Sequence, residues 1–60
     1  MNFSFKEIID LAVAIEQAGY EFYRSCSEKF DDGHIAELFR FLANEEEQHK
    51  KSFESLRGKS

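Results

Sequence analysis

The sequence has few of the residues that stabilise a very small chain covalently. It has 60 residues and a single cysteine, Cys26, so no internal disulfide can form and a closed cysteine-rich zinc site is excluded. A chain of this length buries only about 60% of the surface that its unfolded form exposes, and it is marginally stable alone. Oligomerisation and a metal centre are the remaining supports. Seven phenylalanines and two tyrosines, many for so short a chain, favour oligomerisation.

Other absences narrow the possible functions. No apolar run approaches the length of a membrane span, and the first residues lack the basic and unbroken apolar segments of a secretory signal. The net charge of −4 and the lack of a basic patch argue against nucleic acid as a partner. We therefore expect a protein of the reducing cytoplasm, without membrane or nucleic-acid partners.

The residues that are present predict two amphipathic helices. There is no proline, and apolar residues recur at three- and four-residue steps. Ser4 with Glu7 three positions later forms a capping box that starts the first helix. Gly19 lies on the inner stripe of that helix, which indicates a close helix approach.

A short break separates the two helices. The segment 30–33 interrupts the periodicity, and either Asp32 or Gly33 can cap the second helix. Gly58 is suited to the position just beyond that helix's end. We expect a single domain over residues 1–60, with helices at about 5–29 and 34–57. So short a connection makes the helices antiparallel neighbours, which predicts an all-α, two-helix antiparallel hairpin.

Two polar residues, Glu46 and His49, interrupt the apolar stripe of the second helix. At about 100° of rotation per residue, both project near the middle of that stripe. A buried carboxylate and imidazole are destabilising unless something compensates them. Glu-x-x-His on one helical face is also the spacing of a metal-binding pair. We therefore interpret Glu46 and His49 as candidate ligands.

Glu16 on the first helix is the third candidate ligand. A turn centred near residue 31 places Glu16 and Glu46 at equal distances from it, roughly 22 Å along the helices at 1.5 Å per residue. His49 lies one helical turn beyond Glu46. The three side chains are therefore expected to converge about halfway along the hairpin.

One hairpin supplies only half of a familiar ligand set. Two hairpins packed about a two-fold axis make a four-helix bundle and bring together four carboxylates and two imidazoles, as in di-iron and di-manganese bundles. Carboxylate and imidazole ligands suit iron or manganese. The sequence thus predicts a homodimer, open to higher assembly, with two metal ions per dimer, which are either iron or manganese.

Two segments, 14–23 (AIEQAGYEFY) and 42–49 (LANEEEQH), resemble one half of a rubrerythrin-type, ferritin-like domain. The resemblance extends over roughly residues 8–56. It implies a half-domain of the kind that dimerises, as in encapsulated ferritins, with Glu16, Glu46 and His49 as metal ligands and catalytic residues. It also implies that the Tyr23 hydroxyl donates a hydrogen bond to a ligand carboxylate.

The resemblance implies a di-iron protein that oxidises Fe(II) with dioxygen or peroxide, in iron storage, detoxification or peroxide scavenging. A usual rubrerythrin carries both helix pairs and a four-cysteine rubredoxin-like domain in one chain, and this sequence has neither. A separate electron donor is therefore a candidate partner. The likeness to encapsulated ferritins adds a shell protein as a second candidate, and in that case the cytoplasmic protein would lie inside the shell.

Several alternatives remain open at the level of sequence. In one alternative, the chain is a non-catalytic helical dimerisation module, and its buried Glu–His pair sets the register of the two chains. A bound metal could also serve only as a structural support for the small core. Glu45 is a candidate auxiliary ligand, whereas His34 is expected to be a solvent-exposed residue at the start of a helix.

Overall fold

Two long helices make up the chain in a computed structural model, which describes residues 2–58. Helix α1 spans Phe5–Lys29 and helix α2 spans Gly33–Arg57. They pack side by side in a layer whose Cα atoms extend over 45 × 22 × 11 Å. The predicted all-α hairpin is therefore confirmed. Its dimerisation stays a prediction.

Side-chain caps define where both helices begin. The Ser4 hydroxyl accepts a hydrogen bond from the Glu7 N–H, and the Glu7 carboxylate accepts one from the Ser4 N–H, both at 3.1 Å. These two bonds complete the predicted capping box and hold the pKa of Glu7 below its ordinary value. At α2, the Asp32 carboxylate accepts from the N–H groups of His34 and Ile35 at 2.8 and 3.2 Å. Asp32 is thus the cap, and Gly33 is the first helical residue.

The end of α2 differs from the expectation for Gly58. This glycine is the C-cap itself, in a right-handed conformation with φ −69° and ψ −13°. Its N–H donates to the Glu54 carbonyl at 3.2 Å, which continues the helical pattern. Gly58 therefore follows the last residue of α2 directly, as expected, but it is the C-cap and not the C′ residue one position further on.

Few residues are fully buried between the helices. Ile9 on α1 and the two alanines Ala36 and Ala43 on α2 are the buried hydrophobic residues of the described chain. Alanine lets the two backbones approach closely, but it buries little apolar area. A polar contact also joins the two helices: the Lys50 ammonium group donates a hydrogen bond to the Gln17 side chain at 2.9 Å.

A broad apolar surface is left uncovered by this packing. Ile15 is 60% exposed, although it belongs to the apolar stripe of α1. Helical rotation places the exposed stripes of α1 and α2 on the same side of the hairpin. We call this surface the apolar face; it comprises Ile8, Leu11, Ile15 and Phe22 of α1 and Ile35, Leu38 and Leu56 of α2. Within residues 2–58, neither helix is both long and apolar enough to cross a membrane.

Candidate metal centre

The three predicted ligands meet in the middle of the hairpin. Glu16 reaches in from α1, and Glu46 and His49 reach in from successive turns of α2. One donor atom from each lies within 4.8 Å of the others, a separation that a shared cation can span. The His49 Nδ1 atom lies 3.4 Å from Glu16 Oε2 and 3.7 Å from Glu46 Oε1. The matching height along the two helices, argued from the sequence, is what brings these atoms together.

The two carboxylates and the imidazole differ in their exposure. The side chains of Glu16 and Glu46 are 17% and 22% exposed, whereas that of His49 is 54% exposed. His49 falls on the α2 stripe that belongs to the apolar face. The cluster therefore opens toward the uncovered side of the hairpin, and its imidazole lies nearest to whatever covers that side.

The charged form of the Glu46 carboxylate is disfavoured by the nearby Glu16 carboxylate and by burial. The pKa of Glu46 is raised, because its carboxyl group can share a proton with that of Glu16, because burial disfavours its charged form and because the Glu16 charge repels it. The neighbouring His49 ring opposes these effects. Among residues 2–58, no lysine or arginine forms an ion pair with either glutamate. The pair therefore lacks a compensating cation.

One oxygen of the cluster is left without a partner. Glu16 Oε2 is buried and receives no hydrogen bond from the described residues, and the contact with His49 Nδ1 is too poorly directed to count as one. An unsatisfied buried carboxylate oxygen is costly. Carboxylate oxygens together with an imidazole nitrogen form a donor set that fits iron or manganese. The residues present thus fit a metal ion.

A glycine makes room for the cluster. A Cβ atom on Gly19 would lie 2.5 Å from Glu46 Oε2, well inside van der Waals contact. The close approach expected at this position is therefore between the α1 backbone and a carboxylate of α2. The sequence predicted a close helix approach at Gly19, and the structure shows that the Glu46 carboxylate occupies the space beside this glycine.

The remaining sequence candidates lie outside the cluster. The Tyr23 ring packs near the rings of Phe22 and Phe39, with centroids 5.7 and 6.1 Å away. Its hydroxyl makes no hydrogen bond within residues 2–58, so the bond to a ligand carboxylate stays a prediction. Glu45 is exposed and does not join the group, and His34 is exposed at the first turn of α2.

Fold and donors together define a helical hairpin that carries a carboxylate–imidazole group able to hold a metal ion. The family model described as Rubrerythrin matches residues 7–60. This match covers nearly the whole chain, and the chain belongs to the rubrerythrin family, whose ferritin-like members typically bind iron. Searches of curated proteins and of solved structures each found no match.

Proposed function

We propose that two copies of the chain pair through the apolar face and form a ferritin-like four-helix bundle with a dinuclear iron site. We further propose that this site oxidises Fe(II) with dioxygen or peroxide. The observation that carries the proposal is the convergence of Glu16, Glu46 and His49 around an unsatisfied buried oxygen. Membership of the rubrerythrin family supports iron as the metal.

The geometry of the hairpin supports a second copy. The apolar face holds large side chains, each about half exposed, and covering each of them contributes on the order of 1 kcal/mol. His49 lies on that face at the level of the two glutamates. A two-fold axis through this level would place an identical cluster opposite, giving four carboxylates and two imidazoles. A single hairpin offers three ligands, whereas the pair offers the set of a dinuclear site.

The chain's own groups supply the environment in which iron chemistry would occur. Bound iron supplies one-electron redox chemistry, which no protein side chain in the cluster provides. The negative charge of Glu16 and Glu46 favours the ferric over the ferrous state. His49 must be neutral to donate its nitrogen, and the raised pKa of Glu46 means that this carboxyl group holds its proton more readily than usual. Metal uptake is therefore expected to release protons and to weaken as the pH falls.

Two other functions compete with this proposal. In a non-catalytic dimerisation module, a Glu–His pair would satisfy itself by hydrogen bonding and fix the register. The lack of a hydrogen-bond partner for Glu16 Oε2 disfavours that reading. In the other alternative, the same residues bind a metal that only stabilises the fold. Measuring the rate of Fe(II) oxidation distinguishes this structural metal from an iron-oxidising site.

The test begins with metal-free protein whose mass in solution has been determined. Fe(II) is added without oxygen, and the sample is then exposed to air or peroxide. We expect a dimer that binds two irons and oxidises them faster than protein-free buffer does, seen as growth of ferric absorbance. A dimer that binds no iron would contradict both the iron-oxidising function and the structural metal site. Iron bound at this stoichiometry but oxidised no faster than in buffer would favour a structural metal.

A further inference from the structure

A cavity of about 210 Å³ lies between the helices, on the side of the hairpin opposite the apolar face, and it opens to solvent. Arg24 and Tyr20 line it from α1, and Arg40 and Asn44 line it from α2. Helical rotation turns these side chains away from the apolar face, so a second copy seated there would leave the cavity accessible.

Both arginines lack a carboxylate at ion-pair distance within residues 2–58. This is unexpected in a chain that carries a net charge of −4 and has twelve acidic residues. Arg24 donates a hydrogen bond to the Tyr20 hydroxyl at 3.0 Å and lies over the Tyr20 ring. That contact fixes the guanidinium at the rim of the cavity and leaves its other N–H donors free.

The remaining groups complete a set of hydrogen-bond donors. The Tyr20 hydroxyl accepts from Arg24 and keeps its own hydrogen to donate. The Asn44 amide has two N–H donors, and Arg40 brings a second guanidinium from the facing helix. Ser27 also lines the cavity, but its hydroxyl is already committed to the Arg24 carbonyl at 2.7 Å. Guanidinium groups recognise oxyanions through paired, charge-assisted hydrogen bonds.

One acidic residue opposes the binding of an anion in this cavity. Glu28 lines the same cavity without forming an ion pair with Arg24. The pKa of the Arg24 guanidinium is raised mainly by its contact with Tyr20, and the Glu28 charge adds a smaller effect in the same direction. A bound anion would be repelled by Glu28 and attracted by two arginines. The balance favours a compact anion that carries more than one negative charge.

We propose that this cavity, the arginine cavity, binds an inorganic oxyanion of the size and charge of phosphate, held by Arg24 and Arg40 with Tyr20 and Asn44. The site is separate from the metal cluster and does not depend on the proposed iron chemistry. Its position predicts one anion per chain in either the monomer or the dimer.

The experiment follows backbone amide signals by NMR while inorganic phosphate is added to metal-free protein at constant ionic strength, with chloride as the reference. We expect saturable shifts at Tyr20, Arg24 and Asn44. Replacing either arginine by glutamine is expected to weaken binding by about tenfold or more, since a hydrogen bond to a charged group contributes about 1.5–3 kcal/mol. Arg40→Lys keeps the charge but loses the paired donors and should also weaken binding.

Two further variants separate a built site from general charge attraction. Lys51→Gln removes one positive charge from α2 without lining the cavity, and it should change phosphate affinity by less than about twofold. Glu28→Gln removes the opposing carboxylate and should tighten binding severalfold. Shifts that never saturate, or an equal loss of affinity in Lys51→Gln and Arg40→Gln, would overturn the proposal. So would a Glu28→Gln protein that binds phosphate no more tightly.

Discussion

The two sides of the hairpin are built from the same two helices but differ in what they leave unsatisfied. The apolar face leaves large hydrophobic side chains exposed, and at its centre an imidazole borders two carboxylates that form no ion pair with a lysine or arginine of residues 2–58. On the opposite side, two arginines line a cavity and form no ion pair with a carboxylate of the same residues. Opposite charges that could have neutralised each other are therefore kept apart. In the two proposals, this separation lets each side meet a different external group: a metal and a second chain on one side, an anion on the other.

The largest effect is expected from a charge placed on the apolar face. Ile15→Glu would put an unpaired carboxylate into the proposed interface, which costs several kcal/mol and should convert the dimer into a monomer. Iron stoichiometry should fall with it, because the ligand set would be halved. Sedimentation and iron titration measure the two effects. Ser55→Glu is the matched control, since it adds the same charge on the opposite side and should leave the dimer intact. Equal masses for both variants would contradict the proposed interface.

The next largest effect is expected at the ligands themselves. His49→Leu and Glu46→Ala should abolish stoichiometric iron binding. Combined in one chain, the two substitutions should also make the metal-free dimer more stable by about 1–4 kcal/mol, because replacing both partners of a buried polar pair by apolar residues is often stabilising, whereas removing one partner is not. Metal titration tests the loss of iron binding, and denaturant unfolding tests the gain in stability.

Each ligand variant has a counterpart elsewhere on α2. His34→Leu and Glu45→Ala change the same residue types at exposed positions outside the cluster, and iron binding should survive both. If His49→Leu and Glu46→Ala were instead unfolded with or without metal, the pair would be needed for folding. The dimerisation module would then be the better account.

A smaller effect is expected at Gly19, where stability and metal binding should change in opposite directions. Alanine at this position gains helix propensity, up to about 1 kcal/mol. Its Cβ would displace the Glu46 carboxylate and should weaken metal binding by roughly tenfold to a hundredfold, as for other residues that support a ligand. Gly33→Ala is the control, because a Cβ there meets nothing within 4 Å. Unchanged metal affinity in Gly19→Ala would show that the space is not needed.

The sequence predicted the hairpin and the meeting of its three candidate ligands, because both follow from periodicity and length. Equal numbers of helical residues on either side of the turn place Glu16 level with Glu46, whatever the details of packing. The caps at Ser4 and Asp32 follow from local hydrogen bonding, which the sequence also carries. These features depend on neighbours along the chain or on simple counting.

Other features depend on which part of each stripe faces the partner helix. The sequence places Ile15 on the apolar stripe of α1, but the structure leaves Ile15 exposed and buries Ile9, which lies beside that stripe. The space that Gly19 leaves for Glu46 and the arginine cavity both depend on the rotation of the helices against each other. Ala36 and Ala43 lie buried in the contact between the helices, and hydrophobic periodicity does not single them out.

The smallest effect concerns an ion pair that joins the helices at the end away from the turn. Lys6 donates a hydrogen bond to Asp10, and Arg57 from α2 donates another at 2.7 Å. The first of these, helped by the second, holds the pKa of Asp10 below its ordinary value of 3.8. A carboxyl group whose pKa is lowered by folding stabilises the folded state above its unfolded pKa. That contribution is lost as the pH falls through the lower, folded value.

Asp10→Asn tests this contribution by comparison with the unmodified protein. At neutral pH the variant should be slightly less stable, because exposed ion pairs are screened by water and salt. Below the folded pKa of Asp10, protonated aspartic acid resembles asparagine, so the two unfolding free energies should converge. Thermal unfolding between pH 2 and pH 7 measures both limits. A difference that persists at the lowest pH would show that Asp10 acts through its shape and hydrogen bonds, and not through its charge.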